Sequence, residues 1–248
     1  MTAGDHTAGP APRTIVDGAG RSPREMFDEI APRYDAANRV MSAGVDILWR
    51  RKAIKRLLAG LGPTPRLLDL GAGTLDGALE ILRRAPGAKV VAADFAREML
   101  RAGRTKLSTD ELRARVWPQV ADGHSLPYAT AAFDGAFSAF CVRNMSDLPR
   151  AMADLRRVIR PGGRIAILEF FRPERARFFF DKVYNAHVLP LLGWAVSGDR
   201  EAYRYLPASI AGFRSREEYA ELLRQVGFAE VDARPLFPSG VASLVVAS

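Results

Sequence analysis

Four aspartates in the N-terminal half of the chain stand where chemistry could be placed. Asp69 lies inside the run Arg66 to Leu70, just ahead of Gly71-Ala72-Gly73-Thr74; Asp76 opens the helical pattern after it. Asp94 closes the next apolar run, and Asp122 precedes Gly123 after a third. A strand, a glycine turn and a helix, with an acid about 20 residues on, form the first unit of a nucleotide-binding doubly wound sheet. Where a dinucleotide fold needs its third glycine, this chain runs Thr74-Leu75-Asp76. A carboxylate there would oppose a pyrophosphate at a helix N-terminus whose dipole should favour an anion. The loop therefore argues against NAD and FAD. S-adenosylmethionine has no phosphate and carries a sulfonium and an ammonium, which Asp69 and Asp76 suit. Asp94 offers two oxygens to a ribose diol, with Phe95 beside it, and Asp122 with the Gly123 amide can hold an adenine edge. Asp76 can equally be an acid of the first helical turn.

These residues need an α/β frame. Short apolar runs alternate with helical patterns after Gly62-Pro63, as βαβ units and a parallel sheet require. The strands read as Arg66 to Leu70, Lys89 to Ala93, Arg115 to Val120, Phe133 to Phe140 and Arg164 to Phe170. The third is weakened by Pro118, and the fifth is apolar as a strand covered on both faces should be. Helices are expected over Asp76 to Arg84, Ala96 to Leu107, Leu148 to Ile159, Arg175 to Leu192 and Arg216 to Val226, with a closing hairpin of Val231 to Leu236 and Val241 to Ala247. Ahead of the sheet, Pro23 to Leu58 is amphipathic and helical, interrupted at Ala31-Pro32.

Composition bounds the rest. A chain of 248 residues with 48% hydrophobic content can bury one substantial core. We expect a leader over 1–22 without fixed structure and one domain over 23–248, with a helical cap at 23–60 and a substrate-side insertion at 171–215. The formal charge of +8 is spread along the chain and forms no dense basic block, so it favours RNA only weakly and suits an anionic bilayer surface equally well; with no RNA-binding module and no Asn/Asp-Pro-Pro-Tyr-type motif, no nucleic-acid partner is expected. A single cysteine, Cys141, excludes an internal disulfide. No metal site is expected. A cytoplasmic location, with contact at the inner face of the membrane, and a homodimer are carried as expectations.

Several separate segments resemble one family, the ubiquinone and menaquinone biosynthesis C-methyltransferases. Met26-Phe27 through Ala31-Pro32-Arg33-Tyr34-Asp35, Asn38, Met41-Ser42 and Trp49 is similar to its first signature. Arg157 to Arg164 with Leu168-Glu169-Phe170 is similar to its second, and Phe140-Cys141-Val142-Arg143-Asn144 occupies its Phe-Gly-Leu-Arg-Asn segment. Gly198-Asp199, Ala202-Tyr203-Arg204-Tyr205-Leu206-Pro207 and Ser209-Ile210 resemble a stretch found in few other methyltransferases. The resemblance implies a Rossmann-like class I methyltransferase fold, a seven-stranded mostly parallel sheet with its last strand antiparallel. It implies cofactor contacts at Thr74, Asp94, Asp122 and Gly123, and it places Ala139 where the family has a contacting serine. Leu75 stands for the loop's usual glycine, Asp46 for a histidine, Ala37 for a methionine, Cys141 for a glycine and Phe171 for a serine.

The resemblance also implies the reaction, methylation of a ring carbon of demethylmenaquinol or a related prenylated benzoquinol, with Arg143, Asn144 and Tyr34 at the acceptor; the alternatives are methylation of another phenolic or lipid small molecule, and a non-catalytic cofactor- or lipid-binding partner in a biosynthetic complex. Arginine is a poor base because its pKa exceeds about 12, so Arg143 is expected to stabilise a developing phenolate. Asn144 and Tyr34 would orient the ring. Asp35, His124 and Glu169 are alternatives for a base, and Arg143 has an alternative role pairing Asp147. Phe170 to Trp194 mixes arginines with aromatics, as an interfacial helix or a tunnel for a prenyl tail would.

Overall fold

In the computed structural model the chain is described over residues 15–16, 19–42, 44–173, 200–236 and 242–248. The leader, the expected helix at Arg175 to Leu192 with its aromatic cluster, and the Pro238-Ser239-Gly240 turn lie mainly or wholly outside these residues. Seven strands form one sheet in the order β3-β2-β1-β4-β5-β7-β6. They are β1 (Arg66–Leu70), β2 (Lys89–Asp94), β3 (Val116–Val120), β4 (Phe133–Ala139), β5 (Ile159–Phe170), β6 (Val231–Pro235) and β7 (Ala242–Ala247). Pairings among β1 to β5 are parallel, and β7 lies antiparallel between β5 and β6. Every residue of β7 is buried, and only the first residue of β1 is exposed. Helices cover both faces, so these strands alternate little between apolar and polar.

The helices are α1 (Pro23–Ile30), α2 (Tyr34–Ser42), α3 (Val45–Leu58), α4 (Asp76–Arg84), α5 (Arg97–Arg104), α6 (Asp110–Arg115), α7 (Leu148–Val158), α8 (Arg200–Ala211) and α9 (Arg216–Gln225). The interruption at Ala31-Pro32 is a 3-10 turn over Ala31–Arg33. Two helices have reciprocal capping boxes, Ser22 with Glu25 and Ser215 with Glu218. Two expectations differ in extent. Strand β5 begins at Ile159, paired with Phe133, before a bulge at Gly162 (φ +71°) restarts the ladder at Gly135 and Arg164. Helix α6, capped by Thr109, falls in a segment read mainly as a connection, and helix α8 lies within the expected insertion at 171–215. Helix α6 buries none of its residues, so it has no apolar period to read.

Helices α1 and α2 lie by α5 and the loop after β1, while α3 packs on one face of the sheet against β4, β5 and β7. Arg24 Nε donates to the Phe95 carbonyl at 2.8 Å, and Asp28 caps α5 by accepting the Glu98 amide at 2.8 Å. Phe27 meets Tyr34 and Phe95 edge-on. Among the described residues no helix is long and apolar enough to cross a membrane, and no group of three or more His, Cys, Asp or Glu could hold a metal ion.

Leu75 caps α4 in the left-handed region (φ +68°, ψ +13°) while fully buried. A leucine there is strained by about 1 to 2 kcal/mol, and its burial in the core offsets that strain. Gly103 makes the seat possible, since a Cβ on it would fall 2.5 Å from the Leu75 Cγ. Leu75→Ala should cost about 3 kcal/mol in urea unfolding. Leu75→Gly loses the same packing but relaxes the backbone, so it should be the more stable of the two by about 1 kcal/mol.

Candidate active site

The glycine loop is built by the neighbouring strand. The amides of Gly71 and Ala72 both donate to the Ala93 carbonyl, at 2.8 and 3.0 Å. Gly71 (φ +70°) has to be glycine twice over, because a Cβ would also lie 2.2 Å from the Cys141 Sγ. Asp94, only 7% exposed, accepts the Gly73 amide on Oδ2 at 2.7 Å and the Ala96 amide on Oδ1 at 2.8 Å. Each oxygen keeps a second lone pair for a diol. Burial outweighs those amides and pushes the Asp94 carboxyl up to about 6.

Asp69 is buried beneath the loop, and its Oδ2 has no hydrogen-bond partner. Room for that oxygen comes from Gly77, where a Cβ would fall 2.6 Å from it. Burial pushes the Asp69 carboxyl up to about 7. A buried polar atom without a partner is costly, and here it lines a pocket shared with Tyr34, Gly71, Gly73, Thr74 and Ala139. An ammonium is the partner this oxygen lacks, so the residues fit the methionyl end of S-adenosylmethionine.

Asp76 is committed elsewhere. It accepts Lys106 Nζ at 2.7 Å and Arg39 Nη2 at 2.9 Å, with Arg50 Nη1 at 3.6 Å. Burial would raise its carboxyl, but these cations hold it below the usual carboxylate range. Asp35 joins the same network, pairing Lys106 and accepting the Thr74 hydroxyl at 2.5 Å. Helix α2 is thereby tied onto the loop. Asp122 and Gly123 stand past the end of β3. His124 contacts Asp122 Oδ1 with its amide at 2.9 Å and with Nδ1 at 2.7 Å, holding that carboxyl low against the effect of burial.

Arg143 and Asn144, expected at the acceptor, stand on the 3-10 turn Val142–Asn144. Arg143 is 8% exposed; Nη1 donates to Glu169 Oε1 and to the Phe140 carbonyl, both at 2.8 Å, and Nε to Ser209 Oγ at 3.2 Å. Its carboxylate partner is therefore Glu169 from β5. Asp147 instead caps α7 by accepting the Arg150 amide at 3.1 Å. Burial opposes the guanidinium charge, yet Glu169 and the nearby phenols of Tyr205 and Tyr34 raise its pKa further. Asn144 Oδ1 accepts the Tyr205 hydroxyl at 2.8 Å. Burial raises the Tyr34 phenol, against a hydrogen bond with Asn38 and the charge of Arg143.

Tyr34, Asp69, Gly71, Gly73, Thr74 and Ala139 thus converge on one pocket, with Asp94 holding its loop from behind. Phe95, Asp122, Gly123, Arg143 and Asn144 do not line it. Sequence reading assigned no site role to Ser209, Tyr205, Arg39, Arg50 or Lys106, and it held Glu169 only as a base. The three alternative bases are all engaged: Glu169 by Arg143 and the Phe170 amide, Asp35 by Lys106, and His124 by Asp122 and the Asp147 amide.

A sheet of this order with an antiparallel β7, a glycine loop after β1 and an aspartate closing β2, defines a class I methyltransferase. Solved structures of that fold superpose on the chain. They include a putative methyltransferase from Haloferax volcanii, in complex with its Trm112 activator, at TM-score 0.63 and 20% identity, covering 92% of this chain and 97% of that one. The [4+2]-cyclase SpnF aligns at TM-score 0.64 and 21% identity, over 85% and 73% of the two chains. The model of the ubiE/COQ5 methyltransferase family matches residues 18–247, and the chain belongs to that family. It is 44% identical to the demethylmenaquinone methyltransferase of Thermus thermophilus over 82% of this chain and 91% of the relative. It is 41% identical to the ubiquinone/menaquinone biosynthesis C-methyltransferase of Syntrophotalea carbinolica, over 91% and 93%.

Two outcomes follow from the burial. A carboxyl raised above its unfolded value stabilises the fold below the unfolded pKa and loses that contribution as pH rises through the folded pKa. Asp69→Asn should therefore raise the melting temperature of the ligand-free protein at pH 8 by roughly 4 °C, with a smaller gain at pH 5. Arg143→Ala leaves Glu169 buried and unpaired and should cost about 3 to 5 kcal/mol. Arg143→Met with Glu169→Gln should be markedly less destabilised than the sum of the single changes in a double-mutant cycle.

Proposed function

We propose that this protein transfers the methyl group of S-adenosylmethionine to a ring carbon of demethylmenaquinol or a related prenylated benzoquinol. The observation that carries the acceptor assignment is the buried Arg143 guanidinium, fixed by Glu169 and the Phe140 carbonyl beside Tyr34 and Asn144. The two relatives named above carry this reaction class in their names.

Asp69, Gly71, Gly73, Thr74, Asp94, Phe95, Asp122, Gly123 and Ala139 are the residues that would hold the cofactor. When bound, S-adenosylmethionine supplies an electrophilic methyl on a sulfonium. The Gly71 and Gly73 turn brings backbone close to the donor. Asp69, with its partnerless oxygen, suits the ammonium, and Asp94 suits the ribose. A hydroquinone ring carbon becomes nucleophilic as its hydroxyl loses a proton, and Arg143 stabilises the resulting phenolate as a fixed cation. Tyr34 and Asn144 hold the ring in line, a contribution of roughly 7 to 11 kcal/mol in well-oriented reactions. The ring proton leaves to a water ordered by Arg143, since Glu169 and Asp35 are paired and Asp69 is given to the cofactor's ammonium. The acceptor is lipid-tailed, so the reading includes peripheral contact with the inner face of the membrane, supported by the +8 charge, and a homodimer.

The test is methyl transfer from labelled S-adenosylmethionine to chemically reduced demethylmenaquinol and benzoquinol analogues. Label should appear on the ring carbon and fall by about 100-fold or more in Arg143→Lys, a variant that keeps a cation for Glu169. Bound cofactor with no label on either head group would overturn the quinol assignment.

A further inference from the structure

Arg50 lies on α3, outside every motif that suggested the cofactor, yet its side chain lines the same pocket as Asp69. The side chain is 14% exposed. Its Nη1 reaches Asp46 Oδ2 at 3.2 Å and Asp76 Oδ2 at 3.6 Å. Among the described residues, Nε and Nη2 have no partner. A guanidinium presents five N–H donors in a planar fork that matches a carboxylate, and here the unused side of that fork belongs to a residue of the pocket wall. Arg50 is also the largest influence lowering the Asp69 carboxyl against burial. One wall therefore offers a buried carboxylate with a bare oxygen, and close to it a guanidinium with bare donors.

That pairing of opposite charges is what an α-amino acid requires, since its ammonium and carboxylate share one carbon. We propose that Arg50 binds the α-carboxylate of the methionyl portion of S-adenosylmethionine, while Asp69 takes the ammonium; this rests on the cofactor reading above. Arg39 is the neighbouring alternative. It is more exposed, and its Nη1 and Nη2 are already used by Asp46 and Asp76. It holds the network together and leaves the ligand to Arg50. The ligand's amino-acid end then bridges β1, which carries Asp69, and the helical layer, which carries Arg50, so the N-terminal cap becomes part of the cofactor site.

The experiment measures binding by calorimetry for three ligands: S-adenosylmethionine, its decarboxylated form, and 5′-methylthioadenosine, which lacks both amino-acid charges. Wild type should prefer the carboxylated ligand. Arg50→Gln should lose roughly 10- to 100-fold in affinity for S-adenosylmethionine, with the decarboxylated ligand and 5′-methylthioadenosine changed by less than about threefold. Arg39→Gln, in the same ion network, should keep the preference. If Arg50→Gln weakens all three ligands alike, or retains the preference for the carboxylated one, the assignment is wrong. If wild type binds none of the three, the cofactor reading itself falls, and this inference with it.

Discussion

Everything at this site depends on how β2 holds the turn that leaves β1. Two amides of the loop converge on the Ala93 carbonyl, and a third, from Gly73, ends on the Asp94 carboxylate, which also accepts the Ala96 amide. A turn with three glycine-like conformations in five residues, at Gly71, Gly73 and Leu75, would otherwise sample many shapes. Three hydrogen bonds from one neighbouring strand end select one of them. Because Asp94 restrains the loop from behind, the shape of the pocket wall and the position of this carboxylate are one constraint. The cost is a carboxyl buried far enough to titrate near 6.

The pocket concentrates unfavourable terms that the scaffold elsewhere offsets. Asp69 is buried with an open oxygen, Leu75 is left-handed, and Phe140 (φ +56°) is left-handed just ahead of the arginine turn. Phe140 is held by stacking on Phe170 with ring centroids 4.7 Å apart, and Trp49 closes on Phe170 from α3. Such departures persist only where surrounding packing over-determines them, and they gather at ligand sites. The strain at Phe140 has a visible use: its carbonyl turns to accept Arg143.

The two charge clusters differ in kind. Around Arg143 the pair is almost fully enclosed, with Glu169 completely buried, which orients one guanidinium rigidly. Around Asp76 the network of Arg39, Arg50, Lys106, Asp35 and Asp46 is partly exposed and spans α2, α3, α4 and the turn after α5. Partly solvated pairs contribute little individually. Their value lies in connecting the helical cap to the loop, so that a ligand in the pocket meets both.

Much of this protein was legible in its residues. Alternating apolar runs, the Asp69 to Thr74 turn and Asp94 specify a doubly wound sheet and a phosphate-free nucleoside ligand, because those patterns follow from local periodicity and from the charge a ligand must match. Segment resemblance added Arg143, Asn144 and Tyr34 as the residues proposed to meet the acceptor. Partners far apart in the chain were decided only by the fold. Glu169 reaches Arg143 because β5 lies beside β4, which puts the ends of two parallel strands together across 26 positions. Tyr205 and Ser209 arrive from α8, and Arg50 from α3, through helix packing that no spacing encodes. The fate of Asp76 was decided the same way: its type and position suited a cation, and tertiary structure supplied lysine and arginine side chains before any ligand.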